Sequence, residues 1–169
     1  MWELLAAPDR KNTRRLLAAA LTRSHTLPVT EGYVEHPISV DWARQALPEM
    51  LAYFIEHRDG FRTTLFLAAI QDFNYAGLRG DTGEIISCQM YLPMPGHSAT
   101  TADFFHPLVR HIETMVLENR APYPVERTLL TSGMTLAAVD SIHNGYTLVN
   151  TPEMKVVYKA PKESFFWRE

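Results

Sequence analysis

The chain has 169 residues, 46% of them hydrophobic and 21% charged, with a formal net charge of -3. That length suits one domain able to bury roughly 68–70% of the surface its unfolded form exposes, and the composition excludes disordered and fibrous classes. A slightly acidic chain whose longest basic run is Arg14-Arg15 gives no footprint for nucleic acid.

One cysteine, Cys88, excludes an internal disulfide and a multi-cysteine metal site, and points to a reducing, cytoplasmic setting. The opening Met-Trp-Glu-Leu-Leu has no basic leader, and no apolar run approaches the roughly 18 residues of a membrane span. A soluble chain with no membrane partner is expected.

In chain order, Trp2, Leu4 and Leu5 predict a short helix ending at Pro8, after which Asp9 or Asn12 is placed to cap a second helix carrying Leu16, Leu17, Ala20 and Leu21. Residues 24–48 hold Pro28, Gly32, Pro37 and Pro48 without a sustained period, which predicts an irregular connection with one short helical turn near Trp42. Residues 1–48 are therefore a helical lead-in and connection.

From 49 to 92 the period is two. Leu51, Tyr53 and Ile55 alternate with Ala52, Phe54 and Glu56, and Asp59-Gly60 suits a two-residue type I′ turn into a strand in which Thr63, Leu65, Leu67 and Ala69 face one way. A third strand over 72–79, a turn at Gly80-Asp81-Thr82-Gly83 and a fourth strand over 84–92 complete a predicted antiparallel meander.

Residues 100–145 predict two helices. Thr100 or Thr101 caps the first, with Phe105, Leu108, Ile112, Met115 and Val116 as its apolar face. Pro124 opens the second, which carries Leu129, Leu130, Leu136, Ala137 and Val139 and stops at Asn144-Gly145, Gly145 taking the left-handed conformation. Residues 147–169 hold a last strand, Met154–Tyr158, and a tail. The whole is a single α+β domain: an open, mainly antiparallel β-sheet with helices packed on one face.

Candidate chemistry is thin. Gly77, Gly80 and Gly83 are spaced G-x-x-G-x-x-G between two strands, unlike the G-x-G-x-x-G between strand and helix that cradles a pyrophosphate. Seven histidines include no i, i+4 pair, so no metal site is expected. Asp140 and His143, three apart near a helix end, are the weak candidates for acid-base catalysis; the alternative is a helix C-terminus favouring a cationic histidine.

On the third strand Asp72 and Asn74 alternate with Phe73 and Tyr75, giving one polar and one aromatic face. An aromatic face is ordinarily core, but a sheet covered on one side by helices turns its other side to solvent or a partner. Phe54, Phe66, Phe73, Tyr75 and Tyr91 form the candidate subunit-interface face.

The strings Tyr53-Phe-Ile-Glu-His-Arg-Asp-Gly-Phe-Arg62, Asp72-Phe-Asn-Tyr-Ala76 and Ala121-Pro-Tyr-Pro-Val-Glu-Arg-Thr-Leu-Leu-Thr-Ser-Gly133, followed by Thr151-Pro-Glu-Met154, resemble the C-terminal part of the Gfo/Idh/MocA family. That is the family of glucose-fructose oxidoreductase and inositol dehydrogenase, and the nearest likeness is to its dehydrogenase-like bacterial members. The resemblance runs from about Leu4 onward. It implies a domain that follows an N-terminal Rossmann domain for NAD or NADP, shapes a sugar or polyol pocket and forms a homodimer through its sheet.

This chain departs from the family pattern. It has no Rossmann glycine fingerprint, no Glu-Lys-Pro string with the family's catalytic lysine, and no Asp-x-x-x-His. The resemblance therefore implies a fragment, an internal start or a split gene that binds no cofactor and carries over no catalytic residue. A stand-alone, non-catalytic ligand-binding or dimerisation module is the alternative.

Overall fold

The computed structural model describes residues 1–27, 39–90 and 105–160, and the chain divides into two compact units, Met1–Leu92 and Pro93–Glu169. The described residues form five α-helices and two small antiparallel sheets, an α+β chain.

The first unit opens with α1, Trp2–Ala6, which ends where Pro8 forces Ala7 into an extended conformation (φ −57°, ψ 143°). A 3₁₀ turn, Pro8–Arg10, runs directly into α2, Lys11–Leu21. Neither Asp9 nor Asn12 caps this helix by a side-chain hydrogen bond, because the preceding turn already leads the backbone in. Arg14 instead reaches back from α2 to the end of α1, donating to the carbonyls of Leu5 and, at 2.8 Å, Ala7. Those carbonyls have no partner within so short a helix, and the guanidinium supplies one.

Leu17 and Leu21, one turn apart on α2, are buried with Leu5, Ala43, Leu47 and Met50. Ala43 lies on α3, Val40–Ala46, whose N-cap Ser39 accepts from the Trp42 N–H at 3.0 Å. The short helix expected near Trp42 is present; most of the connection before it, 28–38, lies outside the described residues.

Strands β1 (Leu51–Glu56) and β2 (Arg62–Leu67) pair antiparallel, Leu51 opposite Leu67 and Glu56 opposite Arg62. Their turn differs from expectation. The His57 N–H bonds the Phe61 carbonyl at 2.8 Å and the Gly60 N–H bonds the His57 carbonyl at 2.9 Å, leaving a three-residue loop, Arg58–Gly60. Gly60 has φ +83° while Asp59 keeps a negative φ. A type I′ turn needs positive φ at both central residues; a type I turn followed by a left-handed glycine needs only one.

Strands β3 (Phe73–Leu78) and β4 (Ile85–Met90) form the second hairpin, Phe73 opposite Met90 and Leu78 opposite Ile85. The expected Gly80–Gly83 turn closes it: the Gly83 N–H bonds the Arg79 carbonyl at 2.9 Å, with Gly83 at φ +70°. Within it the Arg79 guanidinium grips Asp81 at 3.0 and 2.7 Å and holds that carboxyl below its ordinary range.

The predicted meander is not one sheet. Each hairpin is a two-stranded sheet of its own, and no ladder joins β2 to β3 among the described residues. The chain between them nevertheless stays in phase. From Thr64 to Ala76 the even-numbered residues are half-buried, and the odd-numbered ones from Leu65 to Tyr75 are exposed. On the covered side, α2 packs against β3 and β4.

The second unit holds α4, His106–Glu118, and α5, Val125–His143. Thr100 and Thr101, expected to cap α4, lie outside the described residues. Pro124 is the N-cap of α5, at φ −61° and ψ 137°. The other end closes as expected: the Tyr146 N–H bonds the Ser141 carbonyl at 2.7 Å, the Gly145 N–H bonds Ile142 at 3.0 Å, and Gly145 has φ +75°. This double bond pattern is a Schellman stop.

Met154–Tyr158, predicted as a strand, joins no ladder among the described residues. Its side chains do alternate, with Met154, Val156 and Tyr158 half-buried and Lys155 and Val157 exposed. Met154 lies against Gly133, so close that a Cβ there would collide with the Met154 thioether.

Candidate functional site

The hairpins of the first unit have two unlike faces, set by register. In β1 and β2 the covered face carries Phe54 and Phe66, both packed against the Leu5–Leu17–Leu21 core. The Arg10 guanidinium sits 4.4 Å from the centre of the Phe54 ring. The opposite face carries Leu51, Leu65 and Leu67, all exposed.

In the second hairpin, Phe73 and Tyr75 are each 59% exposed, and Met90, the cross-strand partner of Phe73, is 58% exposed. Ile86 and Cys88 share that exposed face. The Tyr75 ring folds along the strand over Gly77, where a Cβ would stand 2.9 Å from the ring carbon Cζ. Gly77 thus gives the ring room to lie flat.

The five expected interface residues therefore do not share one face. Phe73 and Tyr75 are on the uncovered side, Phe54 and Phe66 line the chain's own core, and Tyr91 lies outside the described residues. The reason is parity: with alternation unbroken between the hairpins, Phe66 and Phe73 must point opposite ways. The same parity, applied along the sequence, would have found Leu65 and Leu67, which the aromatic pattern missed.

Asp72 organises the polar side. Its Oδ1 accepts from Ser24 Oγ at 3.1 Å and Asn74 Nδ2 at 2.6 Å. Its Oδ2 accepts from Ser24 Oγ at 2.9 Å, the His25 N–H at 2.7 Å, the Thr26 N–H at 3.3 Å and Gln89 Nε2 at 3.0 Å. The Gln71 N–H returns a bond to Thr26 Oγ1 at 2.8 Å. One carboxylate thus ties the end of α2 to both strands of the second hairpin. Partial burial pushes its carboxyl up, but the His25 N–H and then Ser24, Asn74 and Thr26 outweigh that and hold it below the ordinary value. With both oxygens occupied by the chain's own donors, Asp72 is an anchor.

Asp140 and His143 are exposed on the last turns of α5, and no hydrogen bond joins them among the described residues. His143 occupies the last turn of α5. Among the described residues no group of three His, Cys, Asp or Glu side chains is placed to hold a metal ion, and no helix is long and apolar enough to cross a membrane.

Of the two helices of the second unit, α5 is apolar on more than one side. On α5 a half-covered stripe, Leu130, Gly133, Met134, Ala137, Ala138 and Ser141, follows the helical repeat. Opposite it run Val125, Leu129, Leu136 and Val139, all exposed. The predicted apolar face of α4 is also exposed at Leu108, Ile112, Met115 and Val116.

No protein-family model, no curated protein and no solved structure matches the chain.

Proposed function

We propose that the chain is the C-terminal, substrate-pocket and dimerisation domain of an NAD(P)-dependent oxidoreductase acting on a sugar or polyol, resident in the cytoplasm and inactive by itself. The reading joins the Gfo/Idh/MocA resemblance of the 53–62, 72–76 and 121–133 strings to one structural observation. That observation is the uncovered apolar face formed by Leu65, Leu67, Phe73, Tyr75 and Met90 opposite the helix-packed side. All five are large apolar side chains left exposed, and exposed apolar patches mark interaction sites. A second copy presenting the same face is self-complementary, as a two-fold interface requires. The exposed second stripe of α5 supports a further partner, and the Rossmann domain of the complete enzyme fills that role.

Sedimentation velocity at tens of micromolar tests the dimer. The chain is expected to sediment as a dimer, and Phe73→Glu with Tyr75→Lys as a monomer with an unchanged circular dichroism spectrum. A wild-type monomer would overturn the sheet-face interface. Fluorescence titration with NADH and NADPH is expected to show no binding in the micromolar range; saturable binding there would refute the absence of a cofactor site.

A further inference from the structure

Three helices of the first unit line an open surface cleft of about 530 Å³. This falls within the few-hundred to ~1,000 Å³ range of small-molecule sites. Its shape follows from sequence spacing. Trp2 and Ala6 of α1, Arg14 and Ala18 of α2, and Val40 and Arg44 of α3 are each i, i+4 pairs, so each helix turns one stripe toward the same space. The two alanines leave the room; larger side chains there would close it.

The lining is cationic. Arg14, Arg15 and Arg44 face a single carboxylate, Asp41, in a chain whose formal net charge is -3. Arg14 is held in place by its bonds to Leu5 and Ala7, and Arg15 donates to Asn12 Oδ1 at 3.3 Å. Arg44 and Asp41 have no hydrogen bond or ion pair among the described residues, so the Arg44 guanidinium is free to pair with something else. At the apolar wall, the Trp2 indole Nε1 is buried with no hydrogen-bond partner, an unsatisfied donor of a kind native structures seldom leave. Guanidinium groups recognise planar and tetrahedral dianions through paired N–H donors.

From Arg15 and Arg44, which line this hollow beside the carbonyl-bound Arg14, we infer that the cleft between α1, α2 and α3 binds a small metabolite with a dianionic head, a phosphate monoester or a dicarboxylate. The head pairs with Arg15 and Arg44, and an apolar or ring-shaped body lies along Trp2 and Val40. The inference is independent of the oxidoreductase reading, since it uses only the helices that precede the hairpins.

The test is isothermal titration of the full chain with phenyl phosphate and, separately, phthalate, each followed also by tryptophan fluorescence. At least one probe is expected to bind saturably below millimolar, and the tighter of the two assigns the head group. Removing one charge-assisted contact, Arg44→Ala, is expected to weaken binding about tenfold. Arg44 is exposed and unpaired, so the fold does not depend on it. Arg62→Ala, on the exposed Glu56–Arg62 pair of the first hairpin, is the control and leaves binding unchanged. Failure of both probes to bind, full affinity in Arg44→Ala, or equal loss in Arg62→Ala would each overturn the inference.

Discussion

Replacing Asp72 by asparagine changes almost no volume and tests the anchor directly. The carboxylate accepts from the Ser24 hydroxyl, the His25 and Thr26 N–H groups, and the Asn74 and Gln89 amides. An amide offers one accepting oxygen and turns an NH₂ toward the remaining donors, so at least one close contact, such as Asn74 at 2.6 Å or His25 at 2.7 Å, is lost or made repulsive. Hydrogen bonds to charged groups contribute about 1.5–3 kcal/mol each when buried, and Asp72 is only half-buried, so the loss is placed near the lower end at about 2 kcal/mol. With a urea slope of about 2 kcal/mol/M, the midpoint falls by about 1 M.

The pH dependence carries its own signature. The folded carboxyl titrates below the ordinary 3.8 of an unfolded aspartate. Acid therefore protonates the unfolded chain first, and the stabilisation is complete above that value and lost as pH falls through the lower, folded one. The gap between wild type and Asp72→Asn should be constant near neutrality and close below about pH 4. Urea denaturation followed by circular dichroism gives both quantities, and amide hydrogen exchange at His25 and Thr26 should speed up in the variant. A midpoint shift under about 0.2 M, with the gap unaltered in acid, would refute the anchoring role.

Two further predictions use contrasts. Phe66→Ala, which strips a side chain from the core-packed face, should cost about 3 kcal/mol of unfolding free energy, whereas Phe73→Ala should leave monomer stability within about 0.5 kcal/mol. Equal losses in chemical denaturation of the monomeric chain would contradict the assignment of faces. Gly145→Ala should cost about 1 kcal/mol through its positive φ, read as a lowered melting temperature and fraying of the last turn of α5; an unchanged melt would count against the Schellman stop.

Local punctuation was legible along the chain because its causes are local. Pro8 ends α1 through the geometry of the residue before it, Gly145 closes α5 because it tolerates a left-handed backbone, and the Gly80–Gly83 turn joins β3 to β4. The α+β class and the polar-versus-aromatic split of Asp72, Phe73, Asn74 and Tyr75 follow likewise from turn residues and from a period of two. The uncovered surface was only partly legible: aromatic content singled out five residues, and parity divides four of them between two faces.

What tertiary structure alone decided is long-range. Whether Met154–Tyr158 becomes a strand depends on pairing with another strand, and among the described residues it joins no ladder; its alternation survives while its ladder does not. Whether the two hairpins join is also a long-range matter: no β2–β3 ladder forms among the described residues, and the crossing between them is tied instead to the end of α2, through the Gln71 N–H on Thr26 Oγ1 and the Asp72 carboxylate on Ser24–Thr26. The convergence of Arg14 and Arg15 with Arg44, about thirty positions later, had no mark in the sequence, since only the packing of three short helices brings those charges to one cleft.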